Sequence, residues 1–181
     1  MAFTIEPVAP VDGAAVVPDV LVDQHVKPAS EEDALLIAAL RLAAIDHLEA
    51  FTGRSLQRRA WRMTCDQFQT SITLLRGPVW QVTAIRYLDV DGVAQTVPSW
   101  RQSGDVVMPM AGLRWPATVC GAGAVTIDFV AGFEDVGAAA PALRMAALLL
   151  LRHLYDGGSG NDGIPSPVAA LCRGYRVPVI A

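Results

Sequence analysis

Glu49-Ala-Phe-Thr-Gly-Arg-Ser-Leu-Gln-Arg-Arg-Ala-Trp-Arg-Met63 contains the point where the hydrophobic period of the chain changes. Before it, apolar residues recur at helical spacing. One row runs Leu36, Leu40, Ala43 and Phe51, with His47 in line, and a second runs Leu35, Leu42, Ile45 and Leu48. Ser30 suits the N-cap, and Glu31, Glu32 and Asp33 lie in the first turn, where the helix dipole favours negative charge. Gly53 supplies a left-handed stop. The spacing predicts a helix from Ser30 to Phe51 with one wide buried face and with Arg41, Asp46 and Glu49 on the wet side. After Gly53 the period drops to two, as Trp61, Met63 and Cys65 alternate with Arg62 and Thr64.

Strand signals continue downstream. Ile72–Leu75 is followed by the turn Arg76-Gly-Pro78, then by Val79–Leu88, and Asp91-Gly92 reads as a tight hairpin turn into Val93–Val97. Val106–Met108 and the alternating Val125-Thr-Ile-Asp-Phe129 complete the set. Pro141 suits the first turn of a second helix, which runs to about Tyr155 and stops at Gly157. Leu148 to Leu151 cover all sides of that helix, so it needs enclosing by other elements or another subunit. Ser166-Pro167 starts a short third helix to Arg173.

The fold expected is α+β and mainly an α-helical bundle. Two long helices and a short C-terminal helix would carry a small antiparallel β-sheet inserted between the long helices. Residues 1–29, punctuated by Pro7, Pro10, Pro18 and Pro28, read as an extended N-terminal arm with room for one helical turn between Asp19 and Val26. Residues 30–174 form a single domain with its β-region at about 60–131, and residues 175–181 an extended tail.

Composition narrows the function classes. The chain has 181 residues, enough to bury a core without metal or disulfide staples. Hydrophobic residues make up 52% and charged residues 18%, low against the ~25% of typical domains, which favours surface covered by a neighbouring subunit. The longest apolar runs, Ala34–Leu40 and Met145–Leu151, fall well short of the ~20 residues a bilayer requires, and no basic, apolar leader pattern opens the sequence. Cys65, Cys120 and Cys172 are odd in number and widely spaced, which fits a reducing cytoplasm. The net charge of −4 divides into −7 over residues 1–50 (nine acids, two bases) and +3 over the rest (nine acids, twelve bases). Arg54, Arg58, Arg59 and Arg62 are the only basic cluster, read as a solvated edge or partner contact and not a DNA groove.

No motif carries chemistry. His25, His47 and His153 are scattered without CxxC or HExxH spacing, and His47 reads as a core histidine. Asp89-Val-Asp91-Gly92 begins like a calcium loop, but Val93 and Trp100 stand where oxygen donors belong, and a hairpin explains the residues. The glycine runs Gly121-Ala-Gly123 and Gly157-Gly-Ser-Gly160 lack the Lys-Ser/Thr of a phosphate loop, and no Ser sits in a GxSxG elbow. Cys65 has no basic neighbour beyond Arg62 to make it nucleophilic. The expectation is therefore no catalytic, cofactor or metal site.

The order of features is more informative than any one of them. Glu49-Ala-Phe-Thr-Gly-Arg-Ser-Leu56 leads into Arg59-Ala-Trp-Arg-Met63. Leu75-Arg-Gly-Pro-Val79, Ile85-Arg-Tyr-Leu-Asp89 and the Asp-Gly hairpin come next. Val125-Thr-Ile-Asp-Phe-Val-Ala-Gly-Phe133, Pro141-Ala-Leu-Arg-Met-Ala-Ala-Leu148 and His153-Leu-Tyr155 follow, and the series ends on Val168-Ala-Ala-Leu-Cys-Arg-Gly-Tyr-Arg176. In this order, over residues 24–177, the chain resembles the head–tail connector (adaptor) family of tailed phages and gene transfer agent particles. The resemblance implies a structural subunit, not an enzyme. Its copies would form a ring, dodecameric in the particle, beneath the portal protein, with a tail-side completion or stopper protein below and DNA passing through the lumen without specific binding. It further implies residence at the head–tail interface, after assembly in the bacterial cytoplasm and without membrane contact. A tail-completion or other phage assembly factor, and a small cytoplasmic enzyme with an unrecognised site, stay open as alternatives.

The C-terminal segment is the candidate contact. Tyr175-Arg-Val-Pro-Val-Ile180 is apolar where a solvated terminus is ordinarily polar. Tyr175, Val177, Val179 and Ile180 could lie along a neighbouring subunit or the portal, with Arg173 and Arg176 pairing with acids there. The tail could equally fold back onto its own subunit.

Overall fold

The computed structural model describes residues 3–27, 33–119, 121–158 and 163–177. They divide into two compact units, one of residues up to 10 with 58–132, the other of 11–57 with 133 onward.

The first unit is β-structure. Strands β1 (Phe3–Pro7), β2 (Arg59–Cys65), β4 (Val79–Leu88), β5 (Ala94–Thr96) and β8 (Val125–Ala131) form an antiparallel sheet in the order β1-β2-β8-β4-β5. A second sheet, ordered β3-β7-β6, joins β3 (Ile72–Thr73), β6 (Arg101–Ser103) and β7 (Val106–Met108). Register turns alternation into a core: Trp61 lies opposite Phe129, Met63 opposite Ile127 and Cys65 opposite Val125, and all six are buried. On the other face Arg62 lies opposite Asp128, whose carboxylate accepts from Arg62 Nε at 2.8 Å and also pairs with Arg86.

The turn before β4 is fixed by Asp105. Its Oδ1 accepts from the Val79 amide at 2.8 Å, and its backbone carbonyl accepts from the Leu74 amide at 2.8 Å. A Cβ on Gly77 would sit 2.4 Å from Asp105 Oδ2, so only glycine lets the chain pass this carboxylate.

The second unit is helical, with α1 (Gly13–Val16), α2 (Asp19–His25), α3 (Asp33–Thr52), α4 (Val136–Ala139), α5 (Pro141–Tyr155) and α6 (Ser166–Cys172). Asp12 caps α1 through the amides of Ala14 and Ala15, and Asp135 caps α4 through those of Gly137 and Ala138. The cap amide of Gly137, then that of Ala138, hold the Asp135 carboxyl below its ordinary range, with Arg144 adding to the effect. α3 packs on α5 and α5 on α6, and Ile45, Leu48, Leu143, Leu148, Leu151 and Cys172 sit in one core.

The expected mainly helical bundle with a small inserted sheet is overturned. Among the described residues helix takes 35% and strand 25%, in a five-stranded sheet plus a second sheet. One cause is β1, an edge strand drawn from the proline-rich N-terminal stretch. Its partner is distant in sequence, Phe3 lying opposite Cys65, so no local hairpin signal announces it. The other is β6, whose Arg101-Gln-Ser103 carries no apolar alternation and is a strand through its pairing with β7.

The face assignment on α3 also changes. Its buried residues are Ile37, Ala44, Ile45, Leu48, Glu49 and Thr52, whereas Leu35, Leu36 and Leu42, expected inside, are exposed. Arg41, expected on the wet side, is largely buried and pairs with Asp19 at 2.5 Å, while Asp46 is exposed as expected. His47 is half-buried and not a core residue. The helix is apolar nearly all round, so periodicity supplied two candidate faces and packing chose between them. The predicted cap at Ser30, with Glu31 and Glu32, lies outside the described residues.

Candidate functional site

The C-terminal segment leaves α6 and runs along the C-terminal end of α3. The Val177 amide donates to the Thr52 carbonyl at 2.9 Å, and Arg54 Nε donates to the Tyr175 carbonyl at 3.1 Å. The Arg176 guanidinium lies 4.5 Å above the centre of the Phe51 ring. Gly53, with φ +70°, makes the left-handed stop read from the sequence, and a Cβ there would touch Val177. Of the six candidate contact residues, Tyr175 and Val177 are half-buried against their own subunit, while Arg173 and Arg176 are exposed. Val179 and Ile180 lie outside the described residues.

The stretch that links the helix to the sheet is held by a residue that sequence reasoning misplaced. Glu49 is 1% exposed. Its Oε1 accepts from the Leu56 amide at 2.8 Å and from Ser55 Oγ at 3.4 Å, and the Ser55 hydroxyl also donates to the Gln57 carbonyl at 2.7 Å. A buried acceptor matched to donors in the turn just after the helix sets the chain's exit path. The signal available was the fully apolar Leu56 so close behind the helix stop, which forces the intervening turn inward.

The basic cluster is occupied within the subunit. Arg58 lies 4.3 Å from the Trp80 ring, Arg59 lies 4.5 Å from the Trp61 ring, Arg62 pairs with Asp128 and Arg54 holds the tail. The Asp89 carboxylate serves its hairpin. Oδ1 accepts from the amides of Asp91 and Val93 at 3.0 and 2.9 Å, and Oδ2 accepts from Gln95 Nε2 at 3.0 Å. The Val93 amide, then the Gln95 side chain, keep its carboxyl below the ordinary range.

Burial, then the neighbouring Asp66 charge, pushes the Cys65 thiol up to about 11, and burial raises that of Cys172. Neither is activated as a nucleophile. Cys120 lies outside the described residues. Among the described residues no three His, Cys, Asp or Glu side chains group to hold a metal ion, and no helix is long and apolar enough to cross a membrane.

No known family profile matches the chain, and neither does any curated protein. Solved structures do. The chain is similar to a protein in the virion of a native gene transfer agent particle, at 30% identity over 98% of this chain and 97% of the other, with a TM-score of 0.76. It is similar, at 28% identity, to proteins in the neck of an empty particle computed with C6 symmetry and of a native particle computed with C12 symmetry. In both, 98% of this chain and 97% of the other are covered, with a TM-score of 0.77.

Fold and comparisons together define a structural component of a phage-like particle. The chain belongs to the head–tail connector family of tailed phages and gene transfer agent particles.

Proposed function

We propose that this chain is the adaptor subunit of the neck, forming a ring under the portal protein and joining head to tail around the DNA channel. The observation that carries this is the near end-to-end match to proteins of particle necks treated with six- and twelve-fold symmetry. Twelve copies around the particle axis, with the portal above and a tail-side completion or stopper protein below, complete the arrangement. The subunit has no catalytic role in this proposal: the Cys65 and Cys172 thiols are raised, and the Asp89 and Asp128 carboxylates are engaged in structural contacts. DNA passes through the lumen without specific binding. A net charge of −4, with the arginine cluster engaged in intramolecular contacts, keeps the channel from gripping phosphates.

Arg173, Tyr175, Arg176, Val177, Val179 and Ile180 form the partner contact in this proposal. Tyr175 to Val177 anchor the segment on the end of α3, Arg173 and Arg176 offer exposed charge to a partner's acids, and Val179 and Ile180 reach that partner.

Mixing the purified protein with the portal of its particle and imaging the product by electron microscopy tests the adaptor role. Rings of this chain seated on the portal are expected. Binding only to completed tails would assign the chain to tail completion instead.

A further inference from the structure

We infer that the outward face of α3 is a contact between neighbouring copies of this chain, an inference that rests on the ring reading above. Leu35 is 86% exposed, Leu36 51% and Leu42 44%, and Ala38 and Ala39 are exposed between them. At ~100° per residue, Leu35, Ala39 and Leu42 fall within an arc of roughly 60°. The opposite side of the same helix places Ile37, Ala44, Ile45 and Leu48 in the core. α3 is thus apolar both inward and outward, the pattern of a helix covered on two sides. Large aliphatic side chains in register along one helix are also unlike the scattered apolar residues of an ordinary surface.

One observation names the cover as a second copy. The neck proteins that this chain matches end to end come from structures treated with six- and twelve-fold symmetry. In a cyclic ring each subunit meets its neighbours head to tail, through two different patches of one surface. The Leu35–Leu42 stripe, continued at its C-terminal end by the exposed Asp46, is one such patch.

The test places a photo-crosslinking phenylalanine analogue at Leu42 in the full chain, assembled into particles, and reads the product by mass. A covalent dimer of this chain is the expected result. A product joining the chain to the portal or another particle protein overturns the inference while leaving the particle role intact. Absence of even the unmodified chain from purified necks overturns the ring reading and this inference with it. Leu35→Glu with Leu42→Glu gives an independent measure. Incorporation into necks should fall by roughly tenfold or more while the thermal midpoint of the isolated protein holds. Incorporation at the unmodified level by this folded variant overturns the inference.

Discussion

The carboxylate of Glu49, 1% exposed near the end of a twenty-residue helix, accepts a 2.8 Å hydrogen bond from the backbone amide of Leu56, seven residues on. Leu56 is itself fully buried, so its amide has no recourse to water. Glu49→Ala leaves that amide short of an acceptor, while the Ser55 hydroxyl keeps the Gln57 carbonyl. It should destabilise the protein by about 1–3 kcal/mol, measured as a shift in urea midpoint. Glu49→Gln keeps an acceptor oxygen and should cost less. Equal losses in the two variants would mean that charge, not acceptor geometry, holds the turn.

Leu148 and Leu150 are 1% and 2% exposed in the helical core. Leu148→Ala and Leu150→Ala should each cost about 2–5 kcal/mol, the range for fully buried leucines whose cavities do not collapse. Met145 and Leu149, exposed on the same helix, should tolerate alanine within about 0.5 kcal/mol in the isolated subunit. Chemical denaturation of the four variants separates the two pairs.

These contrasts mark what the sequence could and could not disclose. Where polarity alternates strictly, as in Trp61-Arg-Met-Thr-Cys65 or Val125-Thr-Ile-Asp-Phe129, burial follows period two, and both strands lie where the pattern places them. α5 likewise spans Pro141 to Tyr155 as read. α3 defeats the same logic because apolar residues surround its axis. Its inner face is set by packing against α5, and Glu49 can turn inward because donors beyond the helix await it. β1 was hidden for a different reason. A five-residue edge strand ending in proline takes its identity from Arg59–Cys65, far along the chain, and a local window contains no trace of that pairing. The chemistry of the candidate tail contact was legible as misplaced apolarity, but its anchorage on Thr52 and Arg54 was not, since backbone carbonyls and amides carry no sequence signature.

The raised thiol of Cys65 sets a pH dependence with a definite sign. Its ordinary pKa of 9.0 rises to about 11 in the fold, chiefly through burial. Above pH 9 the unfolded chain therefore loses its proton first, so stability is complete below that point and declines as pH climbs towards 11. Cys65→Ala should flatten this alkaline decline relative to the parent, read as the change in urea midpoint between pH 8 and about pH 10.5. In a Cys120→Ser background the native protein should resist alkylation at pH 8, whereas both remaining thiols label in denaturant. Rapid native labelling of Cys65 would contradict its burial.

The anchoring of the C-terminal segment separates its two possible duties at the residue level. Tyr175 and Val177 make backbone bonds to Arg54 and Thr52 of their own chain, and Arg176 covers Phe51. Truncation after Gly174 removes all three contacts and should lower the thermal midpoint by about 2–4 °C for each kcal/mol lost. Truncation after Val177 keeps them and removes only Pro178-Val-Ile-Ala181, so the isolated subunit should melt as the parent does. If Val179 and Ile180 engage a neighbouring subunit or the portal, that shorter deletion should still reduce incorporation into particle necks, since strand-like apolar contacts are lost at the partner and not in the subunit. A particle count equal to the parent's for the 178–181 deletion would confine the tail to an intramolecular role. An early melt for that same deletion would instead extend the anchor beyond Val177.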